Sequence, residues 1–380
     1  MTQRHKDPND RGIVGVNSRY WEKENDIKQG LGERVISYFI GKYVKVRYRI
    51  WMLRKESNES VLHPEDLSRI CLEHVFPVTS PIALISQIQG SGGSFLNQLF
   101  DGHPDLHTHP HELFIGHPEK HHWPEIDLND RPENWFGILF EDIVSKYNQE
   151  GYKEDKETFP FVFMPALQKK IFLDYINSLQ SITARDVFNG YLTSYFGAWL
   201  NNQNYNGQKQ FITAFSPGLA TIKDNMELFF ETYPDGRLIS LIRDPKTWLP
   251  FVRIKWPGRY EDVSVGVNHW KECAQAMLRN KEKYADRVCL ITFEDLLSKT
   301  EAVMRYLADF LGIEFDEILL KPTFNKLPMK ANGSFSPADL DIANSQLTST
   351  RTISGRELEF IEGMTSEKYS LVLKEVVGFE

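Results

Sequence analysis

The chain has 380 residues, of which 41% are hydrophobic and 25% charged, a composition ordinary for a globular protein with a sizeable core. Its formal net charge of −8 argues against a nucleic-acid-binding protein, because such domains usually carry a strong basic excess. The three cysteines, Cys71, Cys273 and Cys289, form no CxxC pair, so we expect neither a disulfide framework nor a zinc site, and a reducing compartment fits best.

Residues 1–75 are expected to form an N-terminal helical extension. The extension begins with a polar stretch that lacks the apolar core of a signal peptide, and no segment is apolar enough to span a membrane, so the sequence favours a cytoplasmic protein. Residues 33–55 interleave aromatic and basic side chains. They form either a helix on an anionic membrane surface, which would give peripheral membrane contact, or a helix packed on the domain with its Lys and Arg stems along apolar surface.

Residues 76–380 are expected to form one α/β domain. Its first strand is the continuous apolar run from Pro81 to Ile88, which is typical of a strand buried on both faces. A turn rich in Gly and Ser follows, and then a helical pattern that ends near Gly102. Residues 107–181 alternate short helical patterns with charged and Pro-rich loops, and we interpret them as a helical and loop insertion that shapes a substrate site.

Strands and helices alternate through the remainder of the domain. Apolar runs predict strands at residues 210–215, 237–242 and 288–293, and helical spacing predicts helices at 183–200, 222–233, 260–284 and 294–311. This alternation predicts βαβ units, and therefore a parallel sheet with helices on both faces. Ligands of such sheets bind beyond the carboxyl ends of the strands, so we expect the functional residues there.

The turn from Gly90 to Ser94 lies at such a carboxyl end. Its three glycines allow a tight turn that brings backbone N–H groups close to an anion, and the N-terminus of the next helix points at the same place. The strand, turn and helix together predict a phosphate-binding loop. No Lys follows the glycines as the Walker A pattern requires, which counts against an ATPase or a kinase.

Four stretches in order resemble the sulfotransferase family over about residues 80–335. The run Ser91-Gly92-Gly93-Ser94-Phe95-Leu96 is similar to the family's 5′-phosphosulfate loop, and His103-Pro104-Asp105-Leu106 to the end of the helix that follows it. Leu241-Ile242-Arg243-Asp244-Pro245 resembles the 3′-phosphate motif, and residues 288–312 resemble the closing strand and helix. The resemblance implies a P-loop NTPase-like fold and an enzyme that uses 3′-phosphoadenosine-5′-phosphosulfate (PAPS) as co-substrate, without a metal.

The chain departs from the family pattern at two positions. Gly90 stands where the family has Lys or Arg, a group that would neutralise charge on the bridging oxygen, and Phe251 stands where the 3′-phosphate motif usually has Ser. Losing one such electrostatic group costs roughly 100- to 1000-fold in rate. A basic residue from elsewhere could compensate, and the candidates near the second motif are Lys246, Arg253 and Lys255.

The resemblance implies which residues hold the donor. Arg243 would bind the 3′-phosphate through a bidentate guanidinium, the alternative being an ion pair with Asp244 or another acid. Asn332 and Ser334 lie in a loop that could close over the nucleotide. The phosphosulfate would rest on the turn, whose residues are Gly90, Ser91, Gly92, Gly93, Ser94 and Phe95.

Sulfuryl transfer needs a base that removes the proton of the acceptor. Glu112 stands about where several sulfotransferase branches have a catalytic glutamate, and His111 and His109 are further candidates because the pKa of histidine suits the task. Glu112 could instead cap a helix beginning near Leu113, and the histidines could bind a metal adventitiously or simply occupy a loop.

The expected acceptor is a hydroxyl or an amine of a carbohydrate or small molecule. Two other functions stay open at this point. The chain could be a nucleotide-dependent phosphotransferase, or a non-catalytic or impaired nucleotide-binding protein on a sulfotransferase scaffold.

Overall fold

The computed structural model describes residues 72–154, 157–329 and 353–379. The segment 33–55 and nearly all of the expected N-terminal extension lie outside the described residues, as do Asn332 and Ser334. Their predicted roles in membrane contact and nucleotide binding stay predictions.

A five-stranded parallel sheet forms the centre of the described domain, with the strand order β2-β5-β1-β6-β7. Two antiparallel hairpins, β3-β4 and β8-β9, stand apart from it. The strands are β1 (Ile82–Ile85), β2 (Leu106–Glu112), β3 (Tyr152–Glu154), β4 (Glu157–Phe159), β5 (Phe211–Phe215), β6 (Arg237–Ile242), β7 (Val288–Thr292), β8 (Thr323–Phe324) and β9 (Leu327–Pro328).

The described α-helices follow the strands in the predicted alternation. They are α1 (Gly93–Phe100), α2 (Pro132–Leu139), α3 (Ile143–Glu150), α4 (Pro165–Asn177), α5 (Ala184–Ala198), α6 (Lys223–Thr232), α7 (Pro245–Lys255), α8 (Val263–Tyr284), α9 (Phe293–Ser298), α10 (Thr300–Leu311) and α11 (Gly355–Glu375).

The sheet is buried on both faces, as the continuous apolar runs predict. Leu84 in β1 belongs to the core on one face, and its neighbours Ala83 and Ile85 belong to the core on the other. Successive side chains of a strand point to opposite faces, so only a strand covered on both sides is apolar throughout. The predicted α/β class, a P-loop-like parallel sheet flanked by helices, is confirmed.

The second strand differs from its prediction. Residues 107–112, which were expected in a loop within the insertion, belong to β2. The helix expected near Leu113 does not form, and the N–H of Leu113 instead donates to the carbonyl of Phe215 at 2.7 Å. Pro110 hides this strand in the sequence because proline cannot donate a ladder hydrogen bond. It is tolerated because β2 is an edge strand, whose register with β5 shifts between Thr108 and Glu112.

Two other features qualify the predicted elements. The helix expected over residues 294–311 is divided at Lys299 into α9 and α10, and α10 ends at Gly312, whose φ of 67° suits glycine. Cys273 and Cys289 are buried free thiols. Among the described residues, no helix has the length and apolarity that a membrane crossing requires.

Candidate active site

The turn after β1 has the geometry of an anion-binding loop. Gly90 and Gly92 have φ angles of 84° and 89°, in the left-handed region that favours glycine. A Cβ atom on Gly92 would lie 2.5 Å from the Phe293 ring, so the backbone and this ring are in close contact. Helix α1 begins at Gly93, and its first N–H groups have no partner within the helix, so they are free to bind an anion.

Buried polar side chains accompany this turn. Ser91 is fully buried, and its Oγ has no hydrogen-bond partner among the described residues. The same holds for both side-chain polar atoms of Gln87, whose amide lies against Gly93. Native proteins rarely leave buried polar atoms unpaired, so these atoms are consistent with a polar ligand at the turn. Ser94 is half-buried, while the Phe95 ring packs in the core and leaves only its backbone N–H for a ligand.

Arg243 extends from the carboxyl end of β6 to the same turn. Its Nη1 donates to the carbonyl of Gly90 at 3.1 Å, and its Nε donates to Thr247 Oγ1 at 3.2 Å. The guanidinium carbon lies 4.7 Å from the ring centroids of both Phe251 and Phe293. Burial lowers the pKa of Arg243 to about 10, so the group stays positively charged at neutral pH. The predicted phosphate-binding arginine and the predicted turn are therefore adjacent.

The two departures from the sulfotransferase pattern touch each other. A Cβ atom on Gly90 would lie 3.2 Å from Phe251 Cε1 and 2.9 Å from Val252 Cγ1. The Phe251 ring thus occupies the space that a longer side chain at position 90 would enter. Where the family pattern has a basic residue and a serine, this chain has Gly90 and Phe251 packed against each other.

Glu112 ends β2, which β5 separates from β1 and its turn. It pairs with Phe215 of β5, and the Phe215 ring in turn lies against Gly93. Its carboxylate is 40% exposed and lies 3.8 Å from His121 Nε2. Burial raises the pKa of Glu112. The positive charge of Lys255 opposes this rise, and the negative charge of Glu154 reinforces it. A raised pKa makes a carboxylate a better base near neutral pH.

His109 and His111 point into the core. His109 Nε2 lies 3.0 Å from Glu141 Oε1, and its Nδ1 lies 2.8 Å from the carbonyl of His111. Each ring nitrogen of His109 therefore faces an oxygen atom of the protein. His111 Nδ1 donates to the carbonyl of Glu112 at 2.7 Å, and its Nε2 accepts from Tyr195 at 2.7 Å, the pattern of a neutral ring.

Burial lowers the pKa of His111 to about 4, which agrees with the neutral ring. The three side chains His109, His111 and Glu141 lie close enough together to hold a metal ion. Each ring nitrogen, however, already faces a protein partner. Of the three predicted bases, only Glu112 presents its titrating atoms toward solvent.

The structure also shows site residues that the sequence left unassigned. Gln87 lies beneath the turn, and His121 faces Glu112 and lies 3.1 Å from Ser216 Oγ. Lys255, proposed from the sequence as one of several compensating cations, lies near Glu112 and Phe251. No local pattern marks Gln87 or His121. The sequence predicted no helix over residues 251–255, so the shared face of Phe251 and Lys255 on α7 is known only from the structure.

Comparison with known proteins gives the family. A family model described as the sulfotransferase family matches residues 88–317, which is more than half of the chain. The chain belongs to the sulfotransferase family. The match covers the chain from just after β1, through the turn and Arg243, to the region after α10. No curated protein gave a significant match.

Three solved structures are similar to this chain. The sulfotransferase domain from the curacin biosynthetic pathway has 20% identity and a TM-score of 0.41, covering 76% of this chain and 98% of that one. A sulfotransferase from Alicyclobacillus acidocaldarius has 14% identity and a TM-score of 0.38, covering 78% and 97%. Retinol dehydratase in a complex with retinol and PAP has 11% identity and a TM-score of 0.30, covering 82% and 88%. At such low identities the family assignment depends on the family model.

Proposed function

We propose that this chain is a PAPS-dependent sulfotransferase that transfers the sulfuryl group to a hydroxyl or an amine of a carbohydrate or small-molecule acceptor. One observation carries the proposal: Arg243 Nη1 lies 3.1 Å from the carbonyl of Gly90, so a buried guanidinium adjoins a glycine turn at the carboxyl ends of neighbouring strands. A nucleotide with phosphates at both its 3′ and 5′ positions matches a site with two adjacent anion-binding elements.

The residues of the turn fit the 5′ end of this donor. The N–H groups at the start of α1 and the unpaired hydroxyl of the buried Ser91 would donate to the phosphosulfate oxygens. Arg243 would bind the 3′-phosphate, and it would have to exchange its bond to the Gly90 carbonyl for a stronger charge-assisted one. Asn332 and Ser334 would complete the donor site.

Glu112 is proposed as the base. Its carboxylate would take the proton of the acceptor as the acceptor oxygen or nitrogen bonds to sulfur. The bond between sulfur and the oxygen of the 5′-phosphate breaks, its electron pair stays on that oxygen, and 3′,5′-adenosine bisphosphate leaves. The turn stabilises the charge that develops on the leaving oxygen.

The insertion at about residues 107–181 is proposed to determine which acceptor binds. Within the described part of this region, Phe114 and Tyr147 lie near Glu112. The Phe114 ring is 5.0 Å from that of His121, which faces Glu112. Burial raises the pKa of Tyr147 to about 12, and the charge of Glu112 adds to this rise. Aromatic walls beside a carboxylate suit an acceptor with an apolar or sugar face next to its hydroxyl.

Calorimetric titration with 3′,5′-adenosine bisphosphate tests the donor site. We expect micromolar binding that does not need Mg²⁺ and that Arg243→Ala weakens by tenfold or more, because a hydrogen bond to a charged group contributes about 1.5–3 kcal/mol. Binding of ATP with Mg²⁺ but not of the bisphosphate would contradict the proposal and favour a phosphotransferase. Tight binding without turnover of PAPS over a panel of hydroxyl and amine acceptors would favour a non-catalytic nucleotide-binding protein.

A further inference from the structure

The phosphate-binding turn, Gly90–Phe95, carries no cationic side chain of its own. Gly90 contributes no side chain there, and Phe251 covers it. Arg243 is only 3% exposed and its Nη1 is directed to the Gly90 carbonyl. A sulfuryl group in transfer between a phosphate and an acceptor carries negative charge that a nearby cation would stabilise.

Most basic side chains of the adjacent helix are engaged elsewhere. Lys246 Nζ lies 3.4 Å from Glu362, and Arg253 Nη1 lies 3.1 Å from Glu357, both carboxylates of α11. Arg259, in the loop after α7, donates to the side chain of Gln89 at 2.9 Å. These three contacts pair the respective cations with other side chains.

Lys255 has the position that the missing cation requires. It is exposed at the end of α7, and its Nζ lies 5.6 Å from the centroid of the Phe251 ring and 5.2 Å from that of Trp256. Residues four apart on a helix share a face, so Lys255 extends across the ring that covers Gly90. Its charge also opposes the rise in the pKa of the Glu112 carboxyl, so the ammonium lies within electrostatic range of the proposed base.

We propose that Lys255 supplies from α7 the positive charge that the phosphate-binding turn lacks at Gly90, by binding the oxygens at the 5′ end of the donor, where the sulfuryl group is attached. This inference rests on the proposed function. The ammonium is exposed and lies 5.6 Å from the centroid of the Phe251 ring, which packs against Gly90.

The test measures the binding of two nucleotides that share the 5′-phosphate. The affinity of 3′,5′-adenosine bisphosphate is measured by calorimetry, and that of 5′-AMP by displacement of the bisphosphate. Lys255→Met removes the charge and keeps an apolar stem, Lys255→Arg keeps the charge, and Lys169→Met, an exposed lysine on α4, is the control. We expect Lys255→Met to weaken both nucleotides by about tenfold, with Lys255→Arg and the control close to the unaltered protein.

The ligand comparison separates a 5′ contact from a structural role. Equal loss for both nucleotides, with an unchanged unfolding midpoint, supports a contact at the 5′ end. A loss for the bisphosphate that disappears for 5′-AMP would place Lys255 at the 3′-phosphate and overturn the inference. Unchanged binding in Lys255→Met would overturn it and leave the proposed function standing, whereas failure of the unaltered protein to bind the bisphosphate would remove both.

Discussion

Gly90 and Phe251 are far apart in the sequence and in contact in the fold. Each alone removes a group that the family pattern carries, and together they form one packed contact beside Arg243. A side chain at position 90 is opposed twice, because φ is 84° and because Val252 and Phe251 occupy the space it would enter. Restoring the family's basic residue at this position is therefore not a simple repair.

This gives a prediction at the scale of residues. We expect Gly90→Ala to lower the free energy of unfolding by about 1–3 kcal/mol more than Gly258→Ala, measured by urea denaturation. Gly258 is a matched control, since its φ is 89° but a Cβ atom there meets nothing within 4 Å. Both variants carry the strain of a left-handed alanine, and only Gly90→Ala adds the contact with Val252 and Phe251.

We further expect Gly90→Arg to weaken the binding of 3′,5′-adenosine bisphosphate, because the new side chain must displace the Phe251 ring. Equal destabilisation by the two alanine variants, or tighter binding by Gly90→Arg, would contradict this and show that the Phe251 ring moves aside at little cost in free energy.

Among the elements, α7 connects several parts of the site. It begins at Pro245, two residues after Arg243, carries Phe251 in its second turn and ends at Lys255. Asp244 is its N-cap and accepts the N–H of Lys246 at 2.8 Å, so one side chain determines where the helix begins. The interior Pro250 removes a helical hydrogen bond, which makes the fixed start more important.

We predict that Asp244→Ala lowers the free energy of unfolding by about 1 kcal/mol and also weakens bisphosphate binding, while Asp244→Asn retains both. The control is Asp262→Ala, which removes the corresponding N-cap of α8, where Asp262 accepts the N–H of Ser264 at 2.8 Å. That variant should lose similar stability without loss of binding. Two variants with the same binding loss would mean that α7 has no special part in the donor site.

In the molecule as a whole, Glu141 fastens the insertion to the sheet. It lies between α2 and α3, and it accepts hydrogen bonds from His109 of β2, from Tyr191 of α5 and from the N–H of Phe114. Burial alone would raise the pKa of Glu141, but the charge and the hydrogen bond of His109 outweigh it and hold the pKa at about 2. A buried ion pair that loses one partner leaves an uncompensated charge.

Glu141→Gln is therefore expected to lower the free energy of unfolding by about 3–5 kcal/mol at pH 7. The pKa of Glu141 is lower in the folded state than the value of about 4.3 expected when unfolded, so its contribution is complete above that value. The contribution is lost as the pH falls toward 2, so the difference between the variant and the unaltered protein should be smaller at pH 3 than at pH 7. Urea denaturation at both values measures it.

The exposed Glu119→Gln is the control and should change stability little at either pH. A difference between Glu141→Gln and the unaltered protein that did not depend on pH would mean that packing, rather than charge, fastens the insertion.

The sequence alone determined the parallel sheet, most of its strands and helices, and the glycine turn, because local periodicity and glycine spacing encode them. It also indicated Arg243 as a site residue, since an arginine directly after a buried strand lies at the carboxyl edge of the sheet. The sequence could not show that His109 and His111 are buried in β2, because Pro110 interrupts the strand pattern. Only the tertiary structure decided this, since burial depends on Glu141 and Tyr195, which arrive from other elements.

The contact of Gly90 with Phe251, and the position of Lys255 over the Phe251 ring, were likewise decided by the fold. Each depends on how α7 packs against the turn. Packing between distant elements follows from the shapes and volumes of many side chains together, so no short stretch of sequence contains it.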